Sequence, residues 1–172
     1  VVLSDFFKPA YLVNCSVTLD NLDLSQFDGV FVPGGLPSSS DVRIAGEFPS
    51  RLGEFWENAG PDKFVAIICS GNEVLIESGI LSRLDGDIIG SPASKWTLWF
   101  GLDSVGHPRT RYQGLNSSAS SISYPSASGK RAQLILGKNP DASVSFVTEI
   151  SRVWAGLREG RVDVPLSMVG HV

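Results

Sequence analysis

Phe64-Val65-Ala66-Ile67-Ile68-Cys69-Ser70-Gly71-Asn72 is an apolar run of strand length that stops at a cysteine and turns through Ser-Gly. It continues as a helical pattern through Glu73, Val74, Leu75 and Ile76. A strand that turns sharply into a helix puts its corner residue at the tip of a sheet with the side chain projecting. That is the mechanics of a nucleophile elbow, where the corner holds a strained backbone and the following N–H faces the reacting atom. A cysteine at a helix N-terminus also has the dipole and unpaired N–H groups to favour its thiolate. The competing reading is a buried, inert cysteine closing a core strand, because free cysteine is among the most buried residue types.

Working outward, Phe27-Asp28-Gly29-Val30-Phe31-Val32-Pro33-Gly34-Gly35 reads as a second buried strand ending in a Pro-Gly-Gly turn. Glycines at a strand's carboxyl end let the backbone approach a neighbour closely. Ligands of open α/β sheets bind beyond those carboxyl ends. A glycine pair at one strand end and a cysteine at another would build one site.

In order, these motifs resemble the DJ-1/ThiJ/PfpI superfamily, which shares the class I glutamine-amidotransferase-like fold. The residues that carry the resemblance are Val30 to Gly35, then Ala66-Ile67-Ile68-Cys69-Ser70-Gly71, then Leu75 with Glu77-Ser78-Gly79-Ile80-Leu81. Gln133 to Ser143 resembles the family's late strand, loop and final helix, so the likeness runs over residues 25 to 160. It implies a flavodoxin-like three-layer α/β sandwich with a mostly parallel central sheet and a nucleophile elbow. It also implies a single domain over residues 1–172 without the family's first strand and helix, which carry a glutamate that contacts the elbow cysteine. Asp5 and Glu73 are candidate substitutes for that carboxylate.

The site residues implied are Cys69 as the catalytic thiol and the backbone N–H groups of Gly34, Gly35 and Ser70 as oxyanion donors, with no cofactor. Two family positions depart from the pattern. Ser70 stands where many members place histidine after the cysteine, and Ser91-Pro92 stands where others have His-Pro. Serine takes no proton near neutral pH, so His107 is the internal candidate for the base. His107-Pro108-Arg109 lies too close after Cys69, and lacks the acid, to be the His-Pro-Glu of a glutaminase. The function implied is a cysteine-dependent enzyme acting on a small carbonyl compound, glyoxalase- or deglycase-like. The alternatives are a redox sensor or chaperone-like member, or a catalytically degenerate scaffold. Family habit implies a homodimer, and a separate N-terminal segment is a candidate to complete the sheet.

Composition narrows the rest. The chain has 172 residues, 42% hydrophobic and 19% charged, the ordinary balance of one globular domain. A net charge of −4 gives no electrostatic grip on nucleic acid. No run approaches the roughly 20 apolar residues of a membrane span, and the N-terminus is no signal peptide. Cys15 and Cys69 make no disulfide framework, which suits a reducing cytoplasmic setting, and Cys15 reads as structural. No His, Cys and carboxylate cluster has metal-ligand spacing.

Along the chain, Leu12 to Leu19 reads as an edge strand or hairpin arm, and Ser38 to Asp41 as a cap before a helix. Pro49-Ser50 starts a helix with Leu52, Phe55 and Trp56 at helical spacing. Asp87 to Gly90 reads as a short strand and Ser117 to Ser128 as a loop, while Trp96 and Trp99 are candidates to line a pocket mouth or to make a core or dimer contact. Ala132 to Leu136 reads as a strand, Asn139-Pro140-Asp141 as an N-cap, and the segment from Val144 to Leu157 as the last helix. Gly160 to Val172 is a tail with a terminal strand as its candidate structure.

Overall fold

A computed structural model describes residues 2–5, 8–12, 17–114, 121–124 and 130–158. A hairpin of β1 (Val2–Asp5) and β2 (Lys8–Leu12) forms its own two-stranded sheet. The main sheet has the order β3-β4-β6-β5, with β3 Gly29–Val32, β4 Phe64–Ile68, β5 Ser121–Tyr124 and β6 Gln133–Gly137. β3, β4 and β6 run parallel, and β5 closes one edge antiparallel to β6. The register aligns Val32 with Ile67 and Ile68 with Gly137, so the parallel strands end level.

The central strands β4 and β6 are mostly apolar because both of their faces are covered. Val65, Ile67, Leu134 and Leu136 point into the larger core, against α2 (Phe48–Asn58), α3 (Val74–Glu77), α4 (Ile80–Arg83) and α5 (Lys95–Ser104). The alternate residues Ala66 and Ile135 face the other way, onto Phe146 and Val153 of α6 (Ser143–Arg158). This period-two division makes the three layers of the expected flavodoxin-like sandwich. Among the described residues no helix is long and apolar enough to cross a membrane.

Several local expectations are corrected. The serines do not cap a helix: α1 (Leu36–Arg43) starts directly after Gly35 and runs through them. Within the serine-rich stretch, Ser121–Tyr124 is β5, because pairing with fully buried β6 outweighs the weak strand preference of serine. Asn139 does occupy the N-cap position, with Pro140 and Asp141 in the first turn, but of a 3-10 turn over Pro140–Ala142 that leads into α6, and its amide bonds Asp141 instead of the helix backbone. Asp87 to Gly90 forms no strand but a single parallel bridge between Ile88 and Tyr112. Of the readings of Trp96 only the core contact is excluded: it is 60% exposed and lines a surface pocket with Arg43, Ile76 and Phe100. Cys15 and the Gly160–Val172 tail lie outside the described residues.

Candidate active site

Cys69 has φ 61°, and it is the one non-glycine residue with positive φ among those described. An L-residue held in the left-handed region costs about 1–3 kcal/mol, so surrounding structure must enforce it. Two glycines show how. A Cβ on Gly34 would lie 2.5 Å from Cys69 Cβ and 3.2 Å from its Sγ. A Cβ on Gly71 would lie 2.6 Å from the Pro33 carbonyl oxygen. The Pro33–Gly35 turn and the Cys69–Gly71 turn are therefore interlocked at backbone contact, and only glycine fits at either position.

The Ser70 side chain joins them: the Gly35 N–H donates to Ser70 Oγ at 3.0 Å. Gly35 has φ 113°, a backbone that residues with a Cβ rarely adopt. The sequence reading assigned no work to the Ser70 side chain; here it accepts the N–H of one of the expected oxyanion donors. Gly34 and the Ser70 backbone lie in the same interlock, beside a thiol that is free and partly exposed.

The helical start beyond the elbow is shorter than its sequence pattern implies. Cys69–Glu73 is a 3-10 turn, α3 adds only four residues, and Gly79 at φ 69° breaks the chain before α4. The macrodipole at Cys69 is accordingly that of a few turns, and the interlocked backbone is the larger local influence.

No hydrogen bond joins Cys69 to Glu73 or His107. Glu73 is 6% exposed and its carboxylate pairs with Arg43 at 3.1 Å, while Arg43 also binds Glu77. Those carboxylates, Glu77 foremost, hold the Arg43 guanidinium pKa above its ordinary value. His107 follows α5, where its backbone N–H donates to the Leu102 carbonyl at 2.9 Å. Its ring Nε2 is buried without a partner, and no hydrogen bond joins it to Cys69. Asp5 lies on β1, in the separate hairpin. Among the described residues no group of His, Cys and carboxylates could hold a metal ion.

Two residues that the sequence reading missed build the remaining wall. Asn72 is fully buried in the elbow turn, and its Nδ2 donates to the carbonyls of Ile89 at 2.8 Å and Gly137 at 2.9 Å. Tyr112, also buried, donates its hydroxyl to the carbonyls of Ser91 at 2.7 Å and Gly90 at 3.2 Å. Gly90 separates the two: a Cβ there would meet Asn72 Nδ2 and Tyr112 Cε2, each at 3.6 Å. The signal available for Tyr112 was Tyr-Gln-Gly, since any Cβ on Gly114 would fall 2.4 Å from the phenol oxygen.

Residues 8–86, which include both interlocked turns, match the model of the DJ-1/PfpI family. That stretch, just under half of the chain, is similar to the DJ-1/PfpI family. It is 32% identical over 79 residues to Deglycase TK1284 of Thermococcus kodakarensis, across 46% of this chain and 45% of that protein. It is 39% identical over 67 residues to phosphoribosylformylglycinamidine synthase subunit PurQ of Methanothrix thermoacetophila, across 37% of this chain and 25% of PurQ. The matched stretches thus span less than half the length of either relative. The wall built on Tyr112, β5, β6 and α6 lies outside the family match.

Proposed function

We propose that this protein is a cysteine-dependent enzyme of DJ-1/PfpI type acting on small carbonyl compounds, with glyoxalase- or deglycase-like chemistry at Cys69. The observation that carries the reading is the left-handed Cys69 backbone locked by Gly34 and Gly71, a strain that a purely structural cysteine does not require. The deglycase name of one relative supports the substrate class. In the first step the Cys69 thiolate adds to an aldehyde carbon, forming the C–S bond. The carbonyl π pair moves to oxygen, which takes a proton from solvent and gives a hemithioacetal. The backbone N–H groups of Gly34 and Ser70 are the proposed donors to that oxyanion, while the Gly35 N–H is held by Ser70 Oγ; such donors typically contribute a few kcal/mol.

A second reading is a redox-sensing or catalytically degenerate member. It is favoured by one observation: the Glu73 carboxylate is committed to Arg43, and no hydrogen bond joins His107 to Cys69. The readings separate on one experiment in the Cys15→Ser background. One equivalent of iodoacetamide is mapped by peptide mass, and turnover of a small 2-oxoaldehyde is followed in parallel. Enzyme function requires turnover that falls in step with modification of Cys69. A protein that alkylates at Cys69 but turns over no 2-oxoaldehyde is the sensor or scaffold.

Assembly belongs to the same proposal. The outer edge of β3 has no strand partner among the described residues, Phe31 beside it is 56% exposed, and Phe27, Phe64, Ile150 and Trp154 line a groove along that flank. An open, apolar sheet edge favours a further strand there, from a second copy or a separate N-terminal segment. Light scattering of the purified protein tests it; a stable monomer at 18.4 kDa removes it.

A further inference from the structure

We propose that Tyr112 is a positioning residue of the Cys69 site: it holds the Gly90–Ser91 turn beside the elbow. The proposal rests on the reading of Cys69 as the reacting group. It starts from how the Ile89–Ser91 segment is satisfied. The carbonyls of three successive residues are taken by side chains: Ile89 by Asn72, then Gly90 and Ser91 by Tyr112. One of those side chains belongs to the elbow turn itself, so Tyr112 completes a wall whose other support is three residues from the thiol.

The segment so held leads into the Pro92–Ser94 turn, where Ser94 is fully buried and packs near the elbow, its hydroxyl without a partner. Through Gly90 the phenol ring and the Asn72 amide come within van der Waals reach of one virtual atom. Burial first, and then the charge on Cys69, push the Tyr112 phenol up to about 12. A phenol that stays protonated at neutral pH keeps the hydroxyl that fixes the turn.

The test uses the full chain in the Cys15→Ser background with two changes at residue 112. A trifluorotyrosine keeps the ring's size closely while its phenol ionises well below that of tyrosine. Iodoacetamide alkylation of Cys69 is followed between about pH 6 and 10. A phenolate beside the sulfur should move the rising limb of that profile to higher pH by about one unit, a roughly tenfold slower reaction at fixed pH. Profiles that superimpose overturn the proposal. Tyr112→Phe, which keeps the ring but frees both carbonyls, should lower kcat/KM for the 2-oxoaldehyde about tenfold with an unchanged alkylation profile. Full turnover in that variant also overturns a positioning role. Absence of turnover in the parent protein defeats the enzymatic reading alone, and the alkylation profiles still decide whether Tyr112 lies beside the thiol.

Discussion

The two halves of the site are built from different materials. On the β3–β4 side the backbone does the work: two turns meet at Gly34 and Gly71 with no room for a single added carbon, and the thiol is fixed by the clash they avoid. On the side of residues 88 to 114 there is almost no ladder. Side chains of Asn72 and Tyr112 reach across to successive carbonyls instead. A backbone-built wall tolerates no change of residue type at its contact points. A side-chain-built wall tolerates substitution at the cost of one or two hydrogen bonds.

The difference has a graded consequence. Gly71→Ala should be the most damaging change, because its Cβ would meet the backbone oxygen of Pro33, which cannot rotate away. Overpacking of that kind costs about 1–3 kcal/mol and sometimes more. Thermal denaturation should show a lowered Tm, with turnover reduced at temperatures where the variant remains folded. A variant as stable and active as the parent would break the interlock.

Asn72→Ala comes next and probes the other wall. It strips donors from two buried carbonyls, those of Ile89 and Gly137, and each such loss costs about 1–3 kcal/mol. Denaturant unfolding should register a loss within that range, since water can reach the vacated amide site and recover part of it. A loss below about 0.5 kcal/mol would mean that the segment is held by something else.

Tyr112 adds a further effect that is specific to alkaline pH. Its folded pKa lies above the unfolded 10.0, at about 12. The stability tied to the neutral buried phenol is therefore complete below pH 10 and is lost as pH rises through about 12. The loss over that window should reach up to about 2 kcal/mol. Tyr112→Phe should flatten that decline relative to the parent, as read from denaturant midpoints at matched pH. Tyr124, whose phenol is also pushed up by burial, contributes in both proteins and cancels in the difference.

This contrast also explains what could be read from the chain. The elbow was legible because an apolar run that stops at Cys-Ser-Gly constrains backbone geometry directly, and the Pro-Gly-Gly turn did the same for its neighbour. The fold followed from those strand ends together with the helical spacing of Leu52, Phe55 and Trp56. The opposite wall was not legible, because hydrogen bonds from Asn72 and Tyr112 to carbonyls far along the chain leave no periodic trace. β5 escaped for a related reason: its serines carry no strand pattern, and only the buried edge of β6 makes them one. Asn139-Pro140-Asp141 was legible as a helical start, and only the side-chain bond differs, since the Asn139 amide has a nearer partner in Asp141.

The interlock matters functionally only if it serves the thiol, and Cys69→Ser tests that most directly. The substitution keeps the size of the side chain and the left-handed corner, so the melting transition should stay within a few degrees of the parent. Turnover of a small 2-oxoaldehyde, measured on both proteins at equal folded concentration, should fall by at least about 100-fold, the scale expected when a covalent nucleophile is removed. A Cys69→Ser protein that is folded and turns over the substrate at the parent rate would contradict the assignment of Cys69 as the reacting residue.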